Sequence, residues 1–310
     1  MEGRETASSP DSTMSIRVVD YMITARCNLH CPFCYGPDPR MKGEMTQEEI
    51  QAFIRFIASQ GIVSLIIAGG EPLISPYLYL ILDLAQGFGI KVALQTNAYI
   101  PKTLEPCLPK LTWLAVPLDG ISPDTNLKMR TSEVHLKRVL ESIALANRFR
   151  VQSMKLKIGT VIANANIGEL LSLAEIVADI KPDVWKWYQV RPRGQGYYTF
   201  NNLYVSANQI REMELIVRDR YPMLPLVVSM LQDTVTAYLI INPDSEMLIP
   251  MVDDYLSFGR LIENDLKVNY STWKSAIAAI NVSRHVRNVI QTFPGALSSA
   301  YNKIGQFHQL

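Results

Sequence analysis

A single α/β domain on a mostly parallel sheet, followed by a C-terminal extension, is the fold class that the sequence predicts. Three observations lead to it. Between residues 16 and 190, short runs rich in Ile, Val and Leu alternate with amphipathic stretches, strand before helix, six times in succession. Strands separated by a helix-sized interval pair in parallel through right-handed crossovers. The second observation is size: 310 residues, 48% hydrophobic and 19% charged, suffice for one large core and do not require two domains. The third is placement. Three cysteines follow the first strand and a pair of glycines closes the second, at the carboxyl ends where α/β barrels carry their sites.

Residues 1–14 are polar, rich in Ser and Thr and without hydrophobic periodicity, which predicts a disordered tail. The first strand covers residues 16–24 and runs straight into the cysteine loop. Thr46, with Glu49 three residues on, forms a capping-box pattern, and Ile50, Phe53, Ile54 and Ile57 give the following helix one apolar face. Strand two is residues 63–68, strand three 91–95 and strand four 111–118, with helices over 77–88 and 101–108 between them. A helix over 134–149 leads to strand five, 154–162, and one over 167–180 leads to strand six, 183–190. Beyond Val190 the pattern changes. Residues 191–198 form a basic, aromatic, glycine-rich loop, helical periodicity returns at 207–221, and a hairpin is expected from 237–242 and 247–250 across Pro243-Asp244. The remainder to Leu310 carries little pattern, but it contains no cysteine.

Cys27, Cys31 and Cys34 stand within eight residues, and only Cys107 lies elsewhere. Thiolates this close on one loop can converge on a metal centre, and three of them leave one iron of a four-iron cluster without a protein ligand. A structural zinc site using His30 is one alternative, although such sites usually draw two separated ligand pairs and no second pair exists here; a redox pair or simply buried thiols are others. Gly69-Gly70-Glu71-Pro72 follows the second apolar run. Glycines there let backbone carbonyls approach a ligand closely, and a strand-end carboxylate or carbonyl accepts from an ammonium.

The CxxxCxxC spacing followed by an aromatic residue, with GGEP one helix-sized interval later, resembles the radical S-adenosylmethionine (radical SAM) superfamily. That resemblance implies a partial (β/α)6 barrel open on one side, a [4Fe–4S] cluster on Cys27, Cys31 and Cys34, and reductive cleavage of SAM to a 5′-deoxyadenosyl radical. It also implies that Gly69, Gly70 and Glu71 hold the SAM ammonium, that the backbone of Phe33 meets the adenine, and that Arg130 holds the carboxylate, a partner suited to guanidinium geometry. Simple packing for Phe33 and a solvated surface position for Arg130 are the alternatives. Asp119-Gly120 resembles the turn near the ribose, although Pro117 stands where relatives often carry serine. The expected organisation is a tail (1–14), a radical SAM barrel (15–195) and an extension covering the barrel (196–310) that has no cysteine for an auxiliary cluster.

Period-two alternation puts Lys155, Lys157 and Gly159 on one face of strand five; in strand six it groups Lys186, Tyr188 and Val190 on one face and Trp185, Trp187 and Gln189 on the other. An unpaired ammonium within an apolar strand is costly. With Arg191 and Arg193 just beyond strand six, these lysines imply a phosphorylated or carboxylated substrate, and snorkelling at strand ends is the alternative. The segments Lys-Leu-Lys-Ile-Gly-Thr-Val161, Trp-Lys-Trp-Tyr-Gln189 and Tyr-Leu-Ile-Ile241 resemble those lining the triphosphate chamber of viperin-type nucleotide dehydratases. On that resemblance Lys157, Lys186 and Tyr238 are substrate residues. Gly159 and Asp20 depart from it, standing where those enzymes carry a polar amide and an asparagine.

The expected function is hydrogen abstraction from a small anionic substrate, a nucleotide, nucleoside or sugar phosphate, for dehydration, epimerisation or rearrangement, with flavodoxin or ferredoxin as electron donor. Modification of a ribosomal peptide and a non-catalytic metal-binding module are the alternatives. A net charge of +1 gives no general attraction to nucleic acid or membrane. Neither a leader nor an apolar span of about eighteen residues is apparent, so the expected location is the cytoplasm. Cys107, near a helix end outside the barrel, is expected to be a buried thiol, with a hydrogen-atom donor as the rival role.

Overall fold

The computed structural model describes residues 16–37, 43–150, 154–263 and 265–294. The tail expected over residues 1–14 lies outside them. All six strand–helix units form: β1 (Val18–Met22) with α1 (Gln47–Ser59), β2 (Ser64–Ala68) with α2 (Leu78–Gly87), and β3 (Lys91–Gln95) with the short α3 (Pro101–Leu104) and a 3₁₀ turn over Glu105–Lys110. They continue with β4 (Trp113–Pro117), α4 (Pro123–Arg130) and α5 (His135–Arg150), β5 (Lys155–Ile162) with α6 (Leu170–Ile180), and β6 (Val184–Gln189) with α7 (Gln195–Leu203) and α8 (Ala207–Arg220). The capping box holds as read: Thr46 Oγ1 accepts from the Glu49 amide at 3.3 Å, and the Glu49 carboxylate accepts from the Thr46 amide at 2.8 Å.

Before residue 207, two helices are additions to the sequence reading. Helix α4 has clear start signals, Ser122 accepting from the Thr125 amide and Pro123 in the first turn, but little amphipathic character to reveal it. The loop expected over 191–198 ends early, because Gly194 takes a positive φ of 55° and the chain turns directly into α7. Downstream lie β7 (Leu226–Ser229), β8 (Ile240–Ile241), β9 (Glu246–Pro250), β10 (Tyr255–Arg260), α9 (Tyr270–Ala278) and α10 (Val282–Thr292). The expected hairpin is β8–β9, with Ile240 opposite Leu248.

The strands form one sheet in the order β10-β9-β8-β1-β2-β3-β4-β5-β6-β7. Strands β1 to β7 run parallel in chain order, as βαβ connections require, and β8 pairs in parallel with the other edge of β1. The segment after residue 195 therefore prolongs the sheet at both edges.

Alternation divides each strand between two environments. Val19, Tyr21, Leu65, Leu94, Leu156 and Trp187 pack outward under the helices in the main core. Val18, Ile66, Ala93, Trp113 and Val184 point inward, where they meet Val289 and Phe293. Helix α10 and the residue after it thus plug the interior, with the Phe293 ring edge-on to Trp113 at 5.4 Å. Lys155 completes the plug by donating to the Pro294 carbonyl at 3.2 Å. Since Phe293 is 1% exposed, Phe293→Ala is expected to cost about 3–5 kcal/mol of unfolding free energy by urea denaturation. A loss below about 1 kcal/mol would contradict the plug.

Candidate active site

The cysteine loop leaves β1 and is held by the end of β2. The Gly70 amide donates to the Thr24 carbonyl at 2.7 Å and the Glu71 amide to the Arg26 carbonyl at 2.8 Å. A Cβ on Gly70 would sit 2.1 Å from the Arg26 oxygen, and one on Gly69, whose φ is +138°, 2.6 Å from the Thr24 oxygen. Only glycine permits that approach. From the other side, the start of α7 closes on the loop: the Gly196 amide donates to the Cys34 carbonyl at 3.1 Å, and Thr199 Oγ1 donates to the Pro32 carbonyl at 2.5 Å.

Held in this way, Cys27, Cys31 and Cys34 line one cavity of about 810 Å³. Each sulfur faces a nitrogen donor: Asn97 Nδ2 at 3.8 Å from Cys27, the Arg130 guanidinium at 3.6 Å from Cys31, and the Gly36 amide at 3.4 Å from Cys34. Burial pushes the Cys31 thiol up to about 11 despite Arg130 and raises Cys27 as well, so an electropositive centre is needed to keep these sulfurs as thiolates. Three thiols on one loop, with no fourth protein ligand beside them among the described residues, match the donor set of a four-iron cluster that keeps one iron open.

Arg130 lies on the same wall. Its Nε donates to Asp119 at 2.5 Å and its guanidinium lies 4.9 Å from the Phe33 ring centre. Burial opposes its charge, but Asp119 and Cys31 outweigh burial and keep it protonated. Asp119 is itself fixed by the Val161 amide at 2.7 Å.

A smaller chamber of about 50 Å³ shares Lys157, Tyr188 and Arg191 with the main cavity and adds Asp20, Arg193 and Tyr238. Inward-facing Lys157 donates to the Tyr188 hydroxyl at 3.3 Å and sits 4.3 Å from the Phe293 ring centre. Burial lowers it to about 7 against the pull of Asp20. Arg193 is 2% exposed, donates to the Met251 carbonyl and lies over Tyr255. The Nε atoms of Arg191 and Arg193 are buried without a hydrogen-bond partner among the described residues. The Tyr238 hydroxyl donates to Asn288 at 3.0 Å.

A family model described as the radical SAM superfamily matches residues 21–176, half of the chain. The chain belongs to the radical SAM superfamily. Enzymes of this superfamily use a [4Fe–4S] cluster and SAM. A SAM-dependent nucleotide dehydratase of Flammeovirga pacifica is 24% identical over 257 residues, 79% of this chain and 86% of that protein. A GTP 3′,8-cyclase of Aquifex aeolicus is 30% identical over 175 residues, about half of either chain at 53% and 54%. In fold, the chain resembles anSMEcpe with bound AdoMet and a Cp18Cys peptide, at a TM-score of 0.64 and 13% identity over 90% of this chain and 88% of that one.

Within this radical SAM fold, the three cysteines, Phe33, Gly69, Gly70 and Arg130 come together around one cavity, with Lys157 at its inner end. Two expectations need correction. The Glu71 carboxylate, expected to face the SAM ammonium, is fully buried away from the cavity and accepts from the Leu73 amide, Thr96 Oγ1 and the Asn97 amide at 2.9, 2.6 and 2.7 Å. Lys186, expected at the barrel mouth, lines neither cavity: it lies under Tyr188 and donates to Thr292 of α10 at 2.5 Å. Cys107 is buried as expected: it lies off the cavity, with its sulfur 3.6 Å from the Thr103 carbonyl.

Sequence reasoning missed Asn97, which joins the Glu71 carboxylate to Cys27 and also donates to Asn28 Oδ1 at 2.7 Å. Its place at the end of strand three was the available signal. Because Glu71 is committed to three protein donors, Glu71→Gln is expected to lower stability by about 1–3 kcal/mol in chemical denaturation. SAM affinity of the folded variant should be unchanged. A tenfold loss of affinity at undiminished stability would restore the ammonium role.

Proposed function

We propose that this radical SAM enzyme acts on a small phosphorylated metabolite, a nucleotide, nucleoside or sugar phosphate, abstracting a hydrogen atom in a dehydration, epimerisation or rearrangement. One observation carries the proposal: the cavity lined by the thiols continues into a chamber where Lys157, Arg191 and Arg193 outnumber Asp20. Basic side chains in excess, two of them with a buried Nε that has no hydrogen-bond partner among the described residues, favour an oxyanion. The dehydratase and cyclase relatives, whose names specify nucleotides, support the same class.

In this reading Cys27, Cys31 and Cys34 hold the cluster. Gly69 and Gly70 offer backbone carbonyls to the SAM ammonium, Arg130 offers its remaining N–H groups to the carboxylate, and Phe33 takes the adenine. Asp119 orients Arg130, so the guanidinium meets its ligand without a search through rotamers. When bound, the cluster and SAM supply one-electron cleavage to a 5′-deoxyadenosyl radical, with flavodoxin or ferredoxin as the proposed reductant. Lys157, Arg193 and Tyr238 hold the anionic end of the substrate, and Lys186 packs behind Tyr188, outside the chamber. Segment 196–310 supplies the far wall through Tyr238, Tyr255, Thr292 and Phe293. A peptide substrate is the second reading, favoured by the peptide in the structurally similar anSMEcpe; the buried cation cluster argues against it.

Anaerobic incubation of the reconstituted enzyme with SAM, reductant and panels of phosphorylated metabolites and peptides, followed by mass spectrometry for 5′-deoxyadenosine and product, separates the two. Any one Cys→Ala change at 27, 31 or 34 is expected to abolish SAM cleavage and lower bound iron. Lys157→Met is expected to raise KM about ten- to hundredfold, the equivalent of one charged hydrogen bond, with uncoupled SAM cleavage nearly unchanged. Normal turnover by Lys157→Met, or turnover of peptides alone, would overturn the anionic-substrate reading.

A further inference from the structure

Resting on the anion site just proposed, the small chamber has two features that reading does not use, its size and its single acid. Its volume of about 50 Å³ corresponds to roughly three or four water positions. That is the footprint of one phosphoryl group, with the rest of the substrate left to the larger cavity. Asp20, inward-facing on β1, is the one carboxyl among the lining residues. An ionised carboxylate in an anion site opposes the ligand, whereas a neutral carboxylic acid donates to it.

We propose that the chamber takes one terminal phosphoryl group and that Asp20 is its selecting residue, sharing a single proton with that group. As the acid, Asp20 donates to a phosphoryl oxygen; as the carboxylate, it repels the group. No hydrogen bond to the Asp20 side chain forms among the described residues, so the side chain is available for this contact. The charged and titratable groups around it come from every neighbouring element: Lys157 of β5, Lys186 and Tyr188 of β6, Arg191 and Arg193 beyond β6, Tyr35 of the cysteine loop, Tyr238 before β8 and Tyr255 of β10. Burial lifts the Asp20 carboxyl to about 7 against the pull of Lys157 and Lys186, so the shared proton is available near neutral pH.

Above that pH the proton must come from solvent, and binding is coupled to its uptake. Sulfate is a suitable probe, because it has the shape of a phosphoryl group and keeps its charge across the range. Calorimetric titration of the cluster-loaded protein with sulfate between about pH 6.5 and 8.5, in buffers of different ionisation enthalpy, counts the protons taken up. Lys157 also gains charge on binding, so the informative quantity is a difference. Asp20→Asn, an isostere that donates at every pH, is expected to take up about one proton fewer than the wild type at pH 8 and to bind sulfate about tenfold more tightly there. Equal proton counts and equal affinities would overturn the role of Asp20 while leaving the anion site intact. Sulfate binding that is absent in both proteins, or unaffected by Lys157→Met and Arg193→Met, would remove the anion site and this inference with it.

Discussion

The amide of Gly70 on the Thr24 carbonyl and the amide of Glu71 on the Arg26 carbonyl tie the ends of the first two strands together, and the position of all three thiols follows from that tie. The contact is close enough that a single methyl group on Gly70 would overlap the Arg26 oxygen. Beneath it, the Glu71 carboxylate carries the constraint onward to strand β3 through Thr96 and Asn97. Burial raises the Glu71 pKa, while three hydrogen bonds favour the charged form and offset part of that penalty. Asn97 then returns to Cys27, and its carbonyl meets His135 Nε2 at 3.1 Å. A rigid ring of strand ends, and no single loop, therefore sets the geometry of the thiol wall.

The opposite end of the interior is shaped by a conflict. Lys157, Lys186 and Arg193 are almost fully buried, and an unpaired charge in such a place is costly. The fold relieves part of this by weakening the charges: burial lowers both lysines, and repulsion from Lys157 and Arg191 lowers Lys186 further. Aromatic faces relieve another part, with Phe293 under Lys157, Tyr188 near Lys186 and Tyr255 under Arg193. Asp20 is displaced in the opposite sense. A set of bases pushed down and an acid pushed up is the state expected of a site whose balancing charge arrives with a ligand.

What the sequence made legible was local. Period-two alternation separated Lys186 from Trp185 and Trp187, and the structure turns the lysine inward and the tryptophans into the outer core. The capping box fixed the start of α1, and short spacing brought the cysteines together. What was illegible depended on distant chain. That Glu71 turns away from the cavity is decided by Thr96 and Asn97, and that Lys186 stops short of the cavity is decided by Thr292, 106 residues away. Strand β7 is only four residues long, and α10 has a strong polar face that says nothing about where its apolar face docks.

This separation has a functional side. The match to the superfamily ends at residue 176, and Arg191, Arg193, Tyr238, Tyr255, Thr292 and Phe293 all come later in the chain. The late stretch adds walls to the chamber and also touches the cysteine loop directly: Tyr35 lines the chamber, and the Tyr255 hydroxyl donates to the Tyr35 carbonyl at 2.9 Å. Phe293 and Thr292 set the depth of the chamber, and each touches a lysine of the barrel. A change of volume or polarity in the last turn of α10 would reshape the chamber without touching the Gly70 and Glu71 tie. The chamber can therefore vary through its C-terminal walls at less cost than through the strand ends, where the Gly70 contact leaves no room for even one methyl group.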